Sequence, residues 1–559
     1  MFQQHHRCRR DSPASEPRPE EYPRWYSPDT GICRSRHPRV DLPDDPFVDV
    51  ATYFLTRVHE GKVALVDEGS GESLSYAELH AGIRCLASRL HGMGLSKGDI
   101  VLFLLPNSVY YPVVLFGCMY LGAVVTTMNP TSSVAEIKKR VGECGARIAF
   151  CSSDRSSDLT SLGISTLAVP SSPVEVDRDG FGGMIFGDAG TLPRPRICQD
   201  DMAAIVYSSG TTGTTKGVVL THRNLIAMIE LFARFEASQY EYPAKENVYL
   251  AALPMFHIYG LALFTTGLLS MGTTVVVMQR FEPNRAIKAI DRYKVTHFPV
   301  VPPILLALTR AKAKGSQGSS LKSLKQVSSG AAPINNSCVK EFVKNFPHVD
   351  FIQGYGMTES AAVATRGFNT GSIRWYDSVG LLAPNMEAKV VNWRTQSFLP
   401  PGKNGELLLR GPAIMKGYFN NVEATRTAID EDGWLHTGDI VHFNRDGYLF
   451  IVDRLKEIIK YKGFQIAPAD LEAVLISHPE IEDVAVTGIQ DNECGEIPVA
   501  FVVRKSGSLL CEAAIINYLS NQVAPYKKVR KVMFTGSIPR SAAGKILRRE
   551  LKVHAVSRL

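Results

Sequence analysis

Apolar residues along this chain fall into short continuous runs, with stretches of helical period between them. Lys62–Val66, Val101–Leu105 and Arg147–Cys151 read as strands, and the last two are unbroken enough to be buried on both faces. Between them, Ser75 with Glu78 and Ser133 with Glu136 have the spacing of capping boxes. Behind the first of these, Leu79, Ile83, Leu86 and Leu90 recur at helical spacing. The longest apolar run, Tyr110–Val125, contains Pro112, Gly117 and Gly122. It is shorter than the ~20 residues a membrane span needs, so it predicts a buried helix running into a strand. Alternating strands and helices with continuous apolar strands predict parallel sheets covered on both faces.

The pattern continues through a helix at His222–Phe235 and strands at Leu250–Pro254, Thr274–Met278, Val295–Val301, Gln326–Ser329 and Phe351–Gly354. From about Val379 the texture changes to short strands and Gly/Pro turns, with Glu406–Arg410 and Tyr448–Val452 among them, which predicts a small antiparallel β subdomain. Leu455–Lys462 is polar and lysine-rich, and a domain boundary is placed there. The fold class expected is therefore α/β: a large region of parallel α/β subdomains with the antiparallel subdomain over residues 46–453, then a small α+β domain over 454–559. That last domain is expected to hold helices near Pro468–Ser477 and Glu512–Gln522 and strands at Val484–Ile489 and Val499–Val503. Residues 1–45, rich in Pro, Arg and Ser, are expected to be disordered or extended over the surface.

Composition narrows the class. At 559 residues the chain needs more than one folding unit. With 45% hydrophobic and 21% charged residues it is an ordinary globular protein, with no transmembrane segment expected. The ten cysteines form no Cys-x-x-Cys pair, which argues against structural zinc and a disulfide framework and fits a reducing compartment. The first 21 residues have no apolar core and do not read as a secretory signal. The net charge of +7 is concentrated in a basic stretch from Tyr526 onward. That stretch lacks interleaved aromatics, so a phosphate-rich small molecule is expected there rather than nucleic acid.

The chemistry centres on Tyr207–Gly217, YSSGTTGTTKG. Glycines let successive backbone N–H groups face an anion, the hydroxyls of Ser208, Ser209, Thr211 and Thr212 add donors around Gly210, and Lys216 adds charge. Apolar flanks at Met202–Val206 and Val218–Leu220 suggest a loop between two strands. The Walker A pattern is not met, because Gly217 follows Lys216 where Ser or Thr is required. Four further stretches carry candidate chemistry. QGYGMTE (353–359) offers an aromatic between glycines, a hydroxyl at Thr358 and a hard oxygen ligand at Glu359. Gly433–Asp439 is followed fifteen residues on by Arg454, and a carboxylate at 439 can accept from two ribose hydroxyls. The run from Asp453 to Pro468 carries Lys456, Lys460, Lys462, Gly463 and Gln465. IPRSAAGKIL (538–547) puts Lys545 on a glycine-containing loop able to swing into a site.

Together, and in this order, the five stretches closely resemble the adenylate-forming superfamily of acyl-CoA ligases, luciferases and adenylation domains. Within it the chain resembles plant 4-coumarate–CoA ligase-like acyl-CoA synthetases. The resemblance implies ATP-dependent adenylation of a carboxylate to acyl-AMP and pyrophosphate, then transfer to CoA with release of AMP. It implies Mg²⁺ at Glu359. For ATP and AMP it implies Ser208, Ser209, Gly210, Thr211, Thr212, Lys216, Thr358, Asp439, Arg454 and Lys545. For the acyl-adenylate it implies His257, Tyr259, Ala331, Gln353, Gly354, Thr358, Arg366, Lys456 and Lys460. Lys545, Lys460, Gln465 and His257 are the implied catalytic residues. Arg280, Lys462 and Gly463 are the implied CoA contacts, and the small domain is expected to rotate about a hinge near 454–456 between the two half-reactions.

Two departures bear on the acid. The stretch Gly405–Gly411 reads GELLLRG without the cysteine usual in 4-coumarate ligases, and Arg366 stands where those enzymes carry an apolar pocket residue. The substrate classes expected are therefore a hydroxycinnamate or a fatty or oxylipin acid. A luciferase-like adenylating oxygenase and a catalytically silent acyl-adenylate-binding protein are the alternative readings. Ser557-Arg558-Leu559 resembles a peroxisomal address read by the import receptor, so a peroxisomal location is expected, with the cytoplasm as alternative.

Overall fold

The computed structural model describes residues 22–59, 62–172, 180–187, 190, 192, 194–208, 215–233, 246–313, 321–332, 334, 336–367, 375–461, 464–491, 494–541 and 544–556. Of the expected site residues, Ser209, Gly210, Thr211, Thr212, Lys462 and Gly463 lie outside them, as do the tripeptide 557–559 and residues 1–21.

Two mostly parallel sheets form the large region. One orders its strands Gly417–Tyr418, Lys216–Thr221, Met202–Ser208, Val124–Thr127, Ile100–Leu104, Ile148–Cys151 and Ser165–Ala168. The other runs from Leu381–Leu382 through Thr365–Arg366, Asp350–Tyr355, Gln326–Ser329, His297–Val300, Val248–Ala251 and Thr274–Val277 to Val63–Asp67 and Ser73–Ser75. Their inner strands are buried along nearly their whole length, as continuous apolar runs require. Both capping boxes form: Ser75 and Ser133 each accept from the backbone N–H three residues on, and Glu78 and Glu136 reach back. Leu79, Ile83, Leu86 and Leu90 are fully buried behind the first. The run from Tyr110 is a buried helix, Tyr111–Tyr120, followed by strand Val124–Thr127. Among the described residues no helix is long and apolar enough to cross a membrane.

The antiparallel subdomain has the strand order Ile32–Arg34, Glu387–Val391, Gly405–Arg410, Leu435–Phe443 and Leu449–Arg454. Its first strand corrects the reading of residues 1–45. The described part, from Tyr22, is extended but firmly packed, with Tyr26 and Cys33 buried in the subdomain core. After Arg454 the C-terminal unit wraps two cores of its own around a long antiparallel pair, Ile481–Asp491 and Gly495–Arg504. Helices Pro468–Leu475 and Glu512–Ser520 lie where the sequence puts them.

One departure from the sequence reading shapes the site. The expected helix from His222 is α-helical only to Met228 and continues as a π-helical turn, Ile229–Ala233. A second π-helical stretch, Leu261–Gly267, follows Tyr259. Thr266 bonds back to the Ala262 carbonyl at 2.8 Å, and Thr265 and Thr266 both donate to Leu261, which satisfies carbonyls that the wider turn displaces.

Candidate active site

The carboxyl ends of the parallel strands converge on a cavity of about 880 Å³, counting the space at its mouth. Ser208, His257, Tyr259, Gly330, Ala331, Gly354, Thr358, Glu359, Arg366, Arg454 and Lys545 line it, together with Phe232, Tyr355 and Ala362. Stretches far apart in sequence thus supply one site.

Backbone constraints set its shape. A Cβ at Gly260 would lie 2.2 Å from the Pro254 carbonyl oxygen, so only glycine lets the His257–Tyr259 turn fold back on its strand. A Cβ at Gly356 would meet the Ala362 carbonyl oxygen at 2.2 Å, which closes the QGYGMTE loop tightly. Ala331, Ala361 and Ala362 adopt φ of 69°, 50° and 65°, a left-handed conformation that non-glycine residues rarely take. Two of these three line the cavity, where strain of this kind characteristically collects.

The phosphate loop joins two antiparallel strands, Met202–Ser208 and Lys216–Thr221, with Ser208 paired to Lys216. Ser208 donates its hydroxyl to Glu359 Oε1 at 3.0 Å, and the Tyr418 hydroxyl donates to the same oxygen at 3.0 Å. Both described bonds use Oε1; Oε2 takes part in neither. The Lys216 ammonium lies over the Tyr418 ring, 4.9 Å from its centroid. Tyr418 therefore ties the loop cation to the acidic residue. Burial and the Glu359 charge push its phenol far above the usual range, so it stays a donor. Glu359 is 6% exposed, and a buried carboxylate flanked by hydroxyls suits Mg²⁺, which takes few protein oxygens and fills its sphere from phosphates and water.

A second cluster forms across the antiparallel hairpin, where Asp439 pairs with Arg454 in register. The Arg454 Nε lies 3.0 Å from Asp439 Oδ1, and the Tyr355 hydroxyl donates to Asp439 Oδ2 at 2.5 Å. Thr437, on the same strand, lines the cavity beside them. A carboxylate held on both oxygens, next to a fixed cation, is a preorganised acceptor for paired hydroxyls.

The third group comes from the C-terminal unit. Gly544, on the loop that carries Lys545, packs where strand His297–Val300 passes into helix Pro302–Ala313, and a Cβ on it would stand 3.1 Å from Pro303. Arg540 holds that loop through the Gly544 carbonyl at 3.3 Å and is itself paired with Asp483 at 2.8 Å. Burial, and then the nearby Arg454 charge, lower the Lys545 ammonium to about 8. Burial and the Lys545 charge lower His257 to about 4, so it is a neutral imidazole at physiological pH.

Not every expected residue joins. Gln353 faces away from the cavity: its amide donates to the Tyr376 carbonyl at 2.6 Å and secures the neighbouring segment. Lys456 and Lys460 are exposed and do not line the cavity while Lys545 does. Gln465 pairs with Lys460 on a short hairpin. Arg280 is exposed at the end of strand Thr274–Val277, outside the cavity lining. Conversely, Tyr418, the Tyr355 hydroxyl and Phe232 escape a reading by motif. The first two act through partners 59 and 84 residues away in sequence, and Phe232 reaches the cavity only through the π-helical turn.

The cavity gathers Ser208, Thr358, Glu359, Arg454 with its partner Asp439, and Lys545 of the C-terminal unit, a donor and cation set that suits an ATP-using, adenylate-forming enzyme. Comparison with known proteins agrees. The AMP-binding enzyme family profile matches residues 55–419, and the AMP-binding enzyme C-terminal domain matches 470–545. The chain is 56% identical over 546 residues to 4-coumarate--CoA ligase-like 6 of Arabidopsis thaliana, covering 97% of this chain and 96% of the relative. It is 41% identical to peroxisomal OPC-8:0-CoA ligase 1 of the same plant, over 93% and 97% of the two chains. Among solved structures, ATP-bound MatB from Rhodopseudomonas palustris superimposes with a TM-score of 0.82 at 25% identity, over 90% of this chain and 98% of that one. O-succinylbenzoate CoA synthetase from Bacillus subtilis with ATP and magnesium gives 0.76 at 26%, over 89% and 99%. The chain belongs to the AMP-binding enzyme family and, within it, to the 4-coumarate–CoA ligase-like group of AMP-forming acid–thiol ligases.

Proposed function

We propose that this protein activates an organic acid with MgATP and passes the acyl group to CoA, using the side chains gathered around Glu359, Asp439 and Lys545. The acid's carboxylate oxygen attacks the α-phosphorus of ATP, and the bond to the β,γ-diphosphate breaks. Acyl-AMP and pyrophosphate result. The CoA thiol then loses its proton and attacks the acyl carbon, and AMP leaves with the electron pair of the mixed-anhydride bond. A carboxylate is a poor acyl donor, and exchanging its oxide for AMP supplies a stable leaving group.

Each cluster has a part in this. Ser208, Lys216 and Thr358 donate to phosphate oxygens, and their charge and dipoles offset the charge that develops on pyrophosphate. Glu359 would hold Mg²⁺, which would supply charge neutralisation to the phosphates. Asp439 accepts from the ribose hydroxyls, and Arg454 keeps it aimed. Lys545 bridges the incoming carboxylate and the α-phosphate, cancelling the repulsion between two anions. Neutral His257 and Tyr259 border the reacting carboxylate without adding charge. Residues 454–456 serve as the hinge that removes Lys545 and brings Lys456, Lys460 and Gln465 to the acyl-adenylate for thioester formation, with Arg280, Lys462 and Gly463 toward CoA.

The observation that carries this reading is the Lys545 ammonium beside Arg454, Glu359 and His257 in one cavity. The test is a panel of hydroxycinnamates and of medium-chain, long-chain and oxylipin acids with ATP, Mg²⁺ and CoA, scoring AMP, pyrophosphate and acyl-CoA. Trapping acyl-AMP without CoA is expected; production of ADP and phosphate instead would refute it. A peroxisomal address in Ser557-Arg558-Leu559 is supported by the relative named peroxisomal. Masking that tripeptide by a C-terminal fusion should leave the protein in the cytosol, and continued import would show it idle.

A further inference from the structure

Asp439 stands in a break of the sheet. Between strands Gly405–Arg410 and Leu435–Phe443 the register pairs Glu406 with Ile440 but Leu408 with His436, so Leu407 faces three residues, Thr437, Gly438 and Asp439. Such a bulge re-aims side chains but takes backbone groups out of the ladder. Here side chains take them up. The Thr437 hydroxyl donates to the Leu407 carbonyl at 2.7 Å and accepts from the Asp439 N–H at 3.1 Å. Glu406 Oε1 accepts from the Gly438 N–H at 3.3 Å. The Gly438 carbonyl accepts from the Leu455 N–H at 2.8 Å, where the C-terminal unit begins.

The bulge turns at Gly438. Its φ is 68°, and a Cβ there would meet no atom within 4 Å, so the conformation and not the space calls for glycine. Glu406, which holds its N–H, is a buried carboxylate on the facing strand. A buried carboxylate needs a counter-charge. His436 supplies it, with Nδ1 3.6 Å from the same Glu406 oxygen and Nε2 3.8 Å from Asp430 on the other side of the ring. The Glu406 carboxylate, above all, raises the imidazole from its ordinary 6.5 toward the charged form.

The consequence falls on Asp439. Arg454 and Tyr355, which line the cavity, hold its two oxygens while residue 439 keeps its place opposite Arg454. Side chains on a strand alternate, so a slip of the bulge by one residue would turn that carboxylate to the opposite face. We propose that Glu406 is a positioning residue that aims Asp439 at the ribose hydroxyls of ATP by clamping the bulge at Gly438. This role rests on the ATP-using reading above and adds to it the residue that sets the sugar-binding carboxylate.

The test is nucleotide binding by the full chain in Mg²⁺, with Kd measured by calorimetry for ATP and for 2′,3′-dideoxyATP, which lacks both hydroxyls. The natural chain should favour ATP by about tenfold or more, the size of one hydrogen bond to a charged group. Glu406→Leu removes the acceptor and Glu406→Asp withdraws it by one carbon; each should bring that ratio to about threefold or less. Glu406→Gln keeps a carbonyl in place and should keep the ratio. A natural ratio in Glu406→Leu overturns the role, even with a lowered Tm, because Glu406 would then serve stability alone. Where that variant does not fold, a natural ratio in Glu406→Asp does the same. A loss in Glu406→Gln equal to that in Glu406→Leu also overturns it. Asp439→Ala separates the two assignments and should bring the ratio to about one. An unchanged ratio there, or equal binding of both nucleotides by the natural chain, removes the ribose role of Asp439 and that of Glu406 with it. A ratio lost in Asp439→Ala but kept in the Glu406 variants removes Glu406 alone. ATP binding by the natural chain upholds the ATP-using reading in either case.

Discussion

Lys545 gives the sharpest prediction, because its placement carries a measurable penalty. Docked against the large region, its ammonium falls from an ordinary 10.5 to about 8, through burial first and the Arg454 charge second. That difference amounts to about 3 kcal/mol against the charged form, roughly a hundredfold or more in a docking equilibrium. The sign follows from proton counting. Below pH 8 the lysine is charged whether docked or not, and docking bears the whole penalty. Between pH 8 and 10.5 the docked lysine sheds its proton first, so docking becomes easier as pH rises. A bound triphosphate and carboxylate do the same job at neutral pH by supplying negative charge. Lys545 thus makes docking of the C-terminal unit conditional on substrates. Lys545→Met, uncharged and of similar length, should dock without nucleotide at pH 7 while losing adenylation by a hundredfold or more, in the range of about 10²–10³ for removal of one preorganised electrostatic group. Two measurements check it: energy transfer between fluorophores on the two units, with and without MgATP, and acid-dependent pyrophosphate exchange. Were the variant to show the same nucleotide-dependent docking as the natural protein, or to keep its exchange rate, the account of Lys545 would be wrong.

Three further outcomes are expected. Tyr418→Phe keeps the ring over Lys216 but removes the hydroxyl bonded to Glu359; adenylation should weaken about 10- to 100-fold, chiefly as a raised Mg²⁺ requirement. An unchanged Mg²⁺ titration would show that the phenol does not position Glu359. Asp453 accepts from the Arg454 and Ala469 N–H groups and is raised to about 7 by burial. It holds its proton more tightly folded than unfolded, so its contribution to stability is present in acid and fades as pH rises through 7. The fall in Tm between roughly pH 4 and pH 7, the interval between its unfolded and folded values, should shrink in Asp453→Asn, and an equal fall would remove Asp453 as its source. Lys460→Ala should slow CoA transfer from supplied acyl-adenylate while sparing pyrophosphate exchange, and equal loss of both half-reactions would contradict the hinge.

What the sequence displayed, and what it hid, divides along a physical line. The parallel sheets were legible because burial on both faces forces unbroken apolar runs such as Val101–Leu105, and the helix starts because Ser75/Glu78 and Ser133/Glu136 satisfy their own backbone locally. The residues proposed to meet phosphate and ribose were legible because that chemistry needs glycine and hydroxyl clusters that nothing in a core would select. Residues that act through another residue left no such mark. Tyr418 matters because the pairing of Gly417–Tyr418 with Val218 and Val219 sets it beside the phosphate loop, a register that only the folded sheet fixes. Gln353 belongs to a motif yet faces Tyr376, since successive residues of a strand point to opposite sides and its neighbour Gly354 took the cavity side. Arg366 stands between the two cases. Its position after Thr358 marked it as unusual, but a surface arginine and a cavity arginine are written with the same letter. Only the folded sheet shows that this arginine is buried at the wall of the cavity.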